Sequence, residues 1–259
     1  ARAEAEVSEK ARTRLTGFVN IIQQRVDGGV SNMADLRVAQ SKLQELRAEY
    51  TRARETEATS LAELNAMAQI SVADIRGLSQ VASATDGKFP LNVLKAQAEG
   101  TRTVAQARID RAGMLPGITL GGTIGEGGNV GINASSDQLM SIGTGSALSA
   151  LEASQDAARR GVAQAEEDNR RMVQRLDQRR ISLQRQQGES QALVTEAKAT
   201  LSLFYNQFQN SGRPIMDVVN IFENAMRLER DAVRLKYELA AIEVEIAGLY
   251  GLLVNGEDV

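Results

Sequence analysis

Apolar and polar residues alternate along most of the chain with the period of an α-helix. The pattern starts at the first residue and continues to about residue 24, after which Asp27, Gly28 and Gly29 interrupt it. A second helix is predicted to start near Ser31, a candidate N-cap, and to end at about residue 68. The chain is therefore expected to begin with two helices joined by a short corner.

The next segment is less regular. Residues 70–90 contain two glycines, one proline and only short apolar pieces, and this composition indicates a compact connector. A third helix is predicted from residue 91 to about residue 112.

The periodicity then changes from helical to two-residue alternation between residues 116 and 143. The apolar members of this alternation are Ile118, Leu120, Ile124, Val130 and Ile132. Two strands of about eight or nine residues, joined by a glycine-rich turn, are predicted here. An isolated hairpin is only marginally stable in water, so these strands are expected to pair with others.

A very long helix is predicted after the hairpin, from about residue 146 to about residue 208, with a length of roughly 95 Å. Its inner positions are spaced alternately by three and four residues, as in helices wound around one another: Val162, Ala165, Asn169, Met172, Leu176, Arg179 and Leu183. Because this stripe is only weakly apolar, the helix is expected to need several neighbours. A corner at residues 210–213 then leads into a last helix, from Pro214 to about residue 253.

The two predicted corners resemble each other. At an offset of 182 residues, Asp35 aligns with Asp217 and Leu36 aligns with Val218. The offset also aligns both helices of the first pair with the later part of the chain, which indicates an internal duplication. Relative to the second copy, the first is expected to lack about 90 residues at its start.

Composition narrows the possible functions. Only 3% of the residues are aromatic, and the chain has no cysteine or histidine, so the commonest general base, thiolate nucleophile and metal ligands are missing. Basic and acidic residues number 30 and 33, which gives no electrostatic footprint for nucleic acid. No window of 18 apolar residues occurs, so no membrane-spanning helix is expected, and the charged start does not resemble a secretion signal.

Three segments together resemble the TolC family of outer-membrane efflux and secretion channels. The passage "GMLPGITLGGTIG" is similar to the transition from helix to outer-membrane strand in that family. The stretch that begins "FQNSGRPIMDVVNIFENAM" resembles its periplasmic tip and closing helix, and the stretch that begins "RVDGGVSNMADLRVAQ" resembles the counterpart in the first repeat. The likeness covers nearly the whole chain and the order of its elements.

The resemblance implies a mainly α fold, in which long antiparallel helical hairpins form an α-barrel tunnel and a β-hairpin contributes to a trimeric outer-membrane β-barrel. The apolar strand positions would then face lipid. The implied segments are a helical hairpin of the first repeat at 1–69, an equatorial connector at 70–90, a short tunnel helix at 91–115, a transmembrane β-hairpin at 116–143, a long helical hairpin of the second repeat at 144–254 and a tail at 255–259.

The function implied by the resemblance is that of a passive exit duct in a tripartite export system. Such a duct carries unfolded protein in type I secretion or small molecules in efflux. The implied partners are two further copies of the chain, a periplasmic adaptor, an inner-membrane transporter and outer-membrane lipid, with no nucleic acid. The implied location is the outer membrane of a Gram-negative bacterium, with the helices in the periplasm.

The family closes its tunnel at the periplasmic tip with polar links between helices and rings of aspartates. By position, Asp217 matches the first gate aspartate after the second corner, and Arg213 matches the arginine that ties the helix pair. Asn220 stands in place of a second aspartate, Phe208 in place of a linking tyrosine, and Asp35 matches the partner at the first corner. Phe208 has no hydroxyl with which to form the link, and Asn220 removes one negative charge per subunit, so the resemblance implies a ring with about half of the family's charge.

Simpler interpretations of the same residues remain open. Asp217 follows Pro214 by one helical turn, and Asp35 follows Ser31 similarly, so both carboxylates also suit a helix N-terminus. Arg213 is equally consistent with an exposed corner arginine.

Other classes of protein fit the sequence less well. A structural coiled-coil adaptor or scaffold without a pore is the main alternative, and the hairpin between two helical blocks favours the duct. A helical enzyme with paired carboxylates has no support in the sequence, and no cofactor or metal is expected.

Overall fold

A computed structural model describes residues 1–68, 71–72, 88–113, 117–122, 130–135, 144–211 and 213–253. The helices are α1 (Arg2–Asp27), α2 (Met33–Met67), α3 (Leu91–Gly113), α4 (Thr144–Ser211) and α5 (Ile215–Leu249), and the strands are β1 (Gly117–Gly122) and β2 (Val130–Ser135). The predicted mainly helical fold is therefore confirmed. Most of the expected connector at 70–90, strand position Ile124 and the tail at 255–259 lie outside the described residues.

The first corner is built by glycine and by backbone hydrogen bonds. Gly29 has a φ of 71°, a conformation that a residue with a side chain adopts only with strain. The amides of Val30 and Ser31 both donate to the carbonyl of Arg25, at 2.7 and 3.0 Å, and so close the end of α1. The N-cap of α2 is Asn32, whose Oδ1 accepts from the amide of Ala34 at 2.9 Å. The expectation that Ser31 caps this helix was wrong by one residue.

The internal duplication predicted from the sequence is visible in the helix boundaries. α2 and α5 are both 35 residues long, and they begin 182 residues apart and end 182 residues apart. The two helices have diverged in their apolar content, but their lengths have stayed matched.

The strand pair is antiparallel, and six residues of each strand lie in the part of the chain that the structure describes. Leu120 is the partner of Ile132, and Ile118 is the partner of Ala134. The apolar alternation of one strand is therefore in register with that of the other.

α4 is one continuous helix of 68 residues. Most of its predicted inner positions are buried or half-buried, but Arg179 is exposed and lies 3.7 Å from the carboxylate of Glu238. The half-buried position at this level is Arg180. A straight α-helix has 3.6 residues per turn and drifts by about 20° for each strict seven-residue repeat, so positions on a strict count gradually turn away from the inner face.

The chain divides into two compact units. The first contains Ala1–Gln80 and Gln178–Val244, and the second contains Val81–Asp177 and Glu245–Val259. In the second unit α3 packs closely on α4, and a Cβ added at Gly100 would lie 3.1 Å from the side chain of Val162. Asn169 is also buried in this unit and donates to the carbonyl of Ala165 at 2.8 Å.

The main hydrophobic core lies in the first unit, where α1, α2, α4 and α5 meet. Phe18 of α1 lies at its centre, with its ring edge-on to Phe222 at 5.5 Å and tilted against Tyr205 at 6.1 Å. Leu15, Ile22, Val218 and Val219 are almost completely buried around these rings. None of the described helices is long and apolar enough to cross a membrane.

Candidate functional site at the helical corners

The two corners lie at the same end of the first unit. Arg25, in the last turn of α1, places its guanidinium 5.1 Å from the ring centroid of Phe208, near the end of α4. The contact joins the helix that enters the first corner to the helix that enters the second. Residues that follow both corners are therefore brought to one end of a helical bundle.

Arg213 and Asp217 form the second corner's charged pair. Arg213 Nη1 lies 3.5 Å from Asp217 Oδ2, one helical turn apart. The same guanidinium stacks 4.0 Å from the ring centroid of Phe204. Because an aromatic face attracts a cation, this ring holds the arginine in place beside the carboxylate. The structure thus brings together two of the predicted site residues.

Asp217 also lies at the start of its helix. Its backbone amide donates to the carbonyl of Pro214 at 3.2 Å, and its carboxylate sits in the first turn of α5, where the helix dipole favours negative charge. The side chain is 46% exposed. Asp217 therefore has a local structural role and remains accessible to solvent.

The remaining predicted residues lie in different surroundings. Phe208 is only 8% exposed and belongs to the hydrophobic core, where its ring packs against Tyr205. Asn220 is exposed and lines a groove between α2 and α5. Asp35 is half-buried in the first turn of α2. Of these five residues, Arg213 and Asp217 contact each other directly.

Two ion pairs between α2 and α5 were missed by the sequence reasoning. Lys42 contacts Glu223, and Arg230 contacts Glu49. The available signal was a pair of opposite charges seven residues apart on each helix, in reversed order. The pattern acquires a meaning only when the register of the two helices is known.

A third ionic contact ties α1 to α2. Glu57 is buried, and it accepts hydrogen bonds from Arg2 Nε at 3.0 Å and from Arg54 Nη1 at 2.6 Å. The hydrogen bond from Arg2 lowers the pKa of Glu57 below its ordinary value of 4.5, assisted by the charge of Arg54, while burial opposes the shift. The carboxylate is therefore held in its ionised form.

The chemistry available in this region is electrostatic. Within the described ranges there is no group of acidic side chains placed to hold a metal ion. The arrangement can attract or repel charged solutes, and it can hold helices together through ion pairs.

Comparison with known proteins identifies the fold. The sequence matches no protein-family model and no curated protein. The crystal structure of the outer membrane protein VceC from Vibrio cholerae is similar over 96% of this chain and 66% of its own, with a TM-score of 0.75 and 17% identity. The Campylobacter jejuni CmeC outer membrane channel is similar over 100% of this chain and 61% of its own, with a TM-score of 0.64 and 13% identity.

A third structure, of the transmembrane-channel-forming protein CusC, is similar over 98% of this chain and 65% of its own, with a TM-score of 0.69 and 16% identity. The chain thus has the fold of outer-membrane channel proteins. It spans slightly less than two thirds of the length of these three structures.

Proposed function

We propose that the chain is part of an outer-membrane exit duct of a tripartite export system and belongs to the TolC family. The observation that carries the proposal is a fold likeness to outer-membrane channels over 96% to 100% of the chain. A fold alone does not define a function. The two corners at one end of the helical bundle and the register of the strand pair give further support.

The proposed assembly is a homotrimer with a shared β-barrel. Two paired strands alone leave two unpaired edges, which are too costly in lipid, so the strands of several subunits have to close into a barrel. The apolar positions at Ile118, Leu120, Val130 and Ile132 would face lipid, with polar positions towards the lumen. A strand that crosses a membrane needs about 9 to 11 residues, so pairing in the barrel has to extend beyond the six residues of each described strand.

The gate is proposed to lie at the corners, with Asp217 in a ring around the threefold axis. Three carboxylates near such an axis repel one another and attract cations. Each Asp217 has its own Arg213 at 3.5 Å, which offsets much of this charge, and Asn220 adds none. The closed ring is therefore proposed to be held by ion pairs between Arg213 and Asp217 and to favour cations only weakly. Asp35 is the proposed partner at the first corner, and the buried Phe208 supports the gate from the core.

The duct is proposed to be passive and to open when an adaptor and an inner-membrane transporter engage the periplasmic tip. Its helices would lie in the periplasm of a Gram-negative bacterium. The cargo is either an unfolded protein or a small molecule, and no reaction is catalysed in this proposal.

The complete protein that contains this chain provides the test. Cell fractionation is expected to find it in the outer membrane, and chemical cross-linking is expected to trap a trimer. Reconstitution into planar lipid bilayers is expected to give discrete conductance steps. Recovery only as a soluble periplasmic protein, without conductance, would contradict the duct and favour the scaffold without a pore.

A further inference from the structure

The two ion pairs between α2 and α5 define how the repeats are aligned. The partners in Lys42–Glu223 and in Glu49–Arg230 are each 181 residues apart. α2 and α5 therefore run parallel at this contact, within one residue of the 182-residue repeat. All four side chains are partly shielded from solvent, and they line one groove of about 340 Å³.

The order of charges is reversed between the two helices. Each helix carries its two charges seven residues apart, so both lie on one face, two turns from each other. α2 presents Lys42 and then Glu49, whereas α5 presents Glu223 and then Arg230. The two patterns are complementary only in the observed alignment.

A shift by one heptad would bring like charges together. Moving α5 by seven residues in one direction places Arg230 opposite Lys42, and moving it in the other direction places Glu223 opposite Glu49. Like charges at such a contact are destabilising, so both shifts are penalised.

The apolar residues beneath the charges discriminate less between these registers. The buried positions of α2 are Leu36, Ala39, Leu43 and Leu46, and those of α5 include Ile215, Val218, Phe222 and Ala225. Both sets are spaced by three and four residues, so a shift of seven residues, about 10.5 Å along the axis, still places half of the α5 stripe, either Phe222 and Ala225 or Ile215 and Val218, at buried positions. In helices of this kind, charged and polar residues commonly decide the register.

The same pattern discriminates against pairing of like repeats. Two copies of α2 aligned in parallel would place Lys42 against Lys42 and Glu49 against Glu49. Two aligned copies of α5 would have the same problem. Only an unlike pair, one α2 with one α5, satisfies all four charges.

We infer that Lys42, Glu49, Glu223 and Arg230 form a charge code that fixes the register in which the two repeats join. The charge code rejects the heptad-shifted alignments and the pairing of like repeats. It concerns how α2 and α5 pair, within one chain or between copies of it, and does not depend on the proposed channel function.

Cysteine cross-linking in the full chain tests this inference. The chain has no cysteine, so two introduced thiols report a contact without background. Glu45→Cys with Asn224→Cys reports the observed register, because both residues line the same groove. Replacing Asn224→Cys by Asp231→Cys or by Asp217→Cys reports a shift of seven residues in either direction. A bifunctional thiol reagent shorter than the shift of about 10.5 Å distinguishes them.

The decisive variant combines Lys42→Glu with Glu49→Lys, which leaves the net charge unchanged. The cross-link of the observed register is expected to fall several-fold, and a shifted cross-link is expected to appear. Adding Glu223→Lys and Arg230→Glu is expected to restore the original cross-link. The matched control, Arg52→Glu with Glu55→Arg, changes two exposed charges on the same helix and is expected to have no effect.

An unchanged yield of the original cross-link in the two-residue variant would overturn the inference. If that variant does not fold, the four-residue variant decides, since failure to recover the original cross-link would also overturn it. None of these measurements involves a membrane or transport, so their outcome is independent of the proposed duct.

Discussion

The hairpins of the two repeats have second helices of equal length, α2 and α5, but place their apolar residues differently. In the first repeat the wide apolar face belongs to α1, the helix before the corner, where Leu15 and Phe18 are buried. The equivalent positions in α4 are Ala197 and Thr200. In the second repeat the wide apolar face belongs to α5, the helix that follows the corner.

The helices that follow the corners, α2 and α5, show the reverse difference: the second copy has the more buried apolar positions. Ile215 is 3% exposed and its equivalent Met33 is 51% exposed, while the fully buried Phe222 corresponds to the exposed Gln40. The two copies have thus kept matched helix lengths in α2 and α5 but differ in which helix contributes the larger buried set, while all four helices contribute to the core. Pairs of equivalent positions allow this difference to be tested.

The largest effect is expected at Phe222 and its equivalent. Phe222→Ala should lower the free energy of unfolding by about 3 to 5 kcal/mol, because it empties the centre of the core. Gln40→Ala should change it by less than about 0.5 kcal/mol, because that side chain is exposed. Urea unfolding followed by circular dichroism measures both. Equal effects at the two positions would mean that the repeats share the core evenly.

The next effect concerns Glu57, which corresponds to the aliphatic Leu239 in the second repeat. Glu57→Gln should lower the free energy of unfolding by about 1 to 2 kcal/mol at neutral pH. The reason is the loss of hydrogen bonds between a charged carboxylate and two partly exposed arginines. The measurement is urea unfolding at several pH values, with the exposed Glu55→Gln as the control.

The sign of the pH dependence follows from the lowered pKa of Glu57. The ionised carboxylate stabilises the folded chain above the unfolded value of 4.5, and this contribution is lost as the pH falls through the lower folded value. Wild type should therefore lose more stability than Glu57→Gln on acidification. Parallel pH profiles of the two proteins would show that Arg2 and Arg54 do not hold the carboxylate.

The helices that follow the two corners are expected to differ in how their first turn is stabilised, with a smaller effect on the free energy of unfolding. Asn32 caps α2 with its side chain, whereas α5 follows Pro214, whose missing amide needs no partner at a helix start. Asn32→Ala should therefore lower the free energy of unfolding by about 1 kcal/mol. Ser31→Ala, at the position favoured from the sequence, should have less effect in the same assay. The opposite ranking would place the cap at Ser31.

The smallest effect on stability is expected at the corner aspartates. Asp217→Ala should change the free energy of unfolding by less than about 0.5 kcal/mol, because its ion pair with Arg213 is partly exposed to solvent. In the complete protein reconstituted in a bilayer, the same substitution should raise conductance, because it removes the ion pair proposed to hold the tip closed. It should also reduce the preference for cations, because it removes a negative charge and leaves the charge of Arg213 unbalanced. Glu55→Ala, at an exposed carboxylate of α2 that has no role in the proposed gate, is the control and should leave the conductance unchanged. Unchanged conductance would leave Asp217 as a helix-start residue without a gating role.

Much of the fold could be predicted because helical periodicity is a local property of the sequence. Two corners, the long α4 and the duplication were all visible in apolar spacing and in the glycine, proline and aspartate residues at helix ends. The exact helix boundaries depend on individual hydrogen bonds, which apolar spacing does not reveal. The cap at Asn32 instead of Ser31 is decided by which side chain reaches the amide of Ala34.

The site was less predictable because it depends on contacts between distant segments. Phe208 aligns with a polar linking position, but in the structure it completes a core with Tyr205 and Arg25. Similarly, Arg179 fits the heptad count but lies outside the seam, since a small angular drift accumulates over several turns. Charge partners 181 residues apart become visible only when the register of two helices is known.

The equal lengths of α2 and α5 restrict how this molecule can evolve. An insertion in one of them would carry its distal half away from the ion pairs and apolar partners of the other. Lengthening the bundle therefore requires compensating insertions in both repeats, and whole multiples of seven residues are the steps that preserve every contact beyond the insertion point. Related proteins with longer or shorter helices are expected to differ by such paired steps.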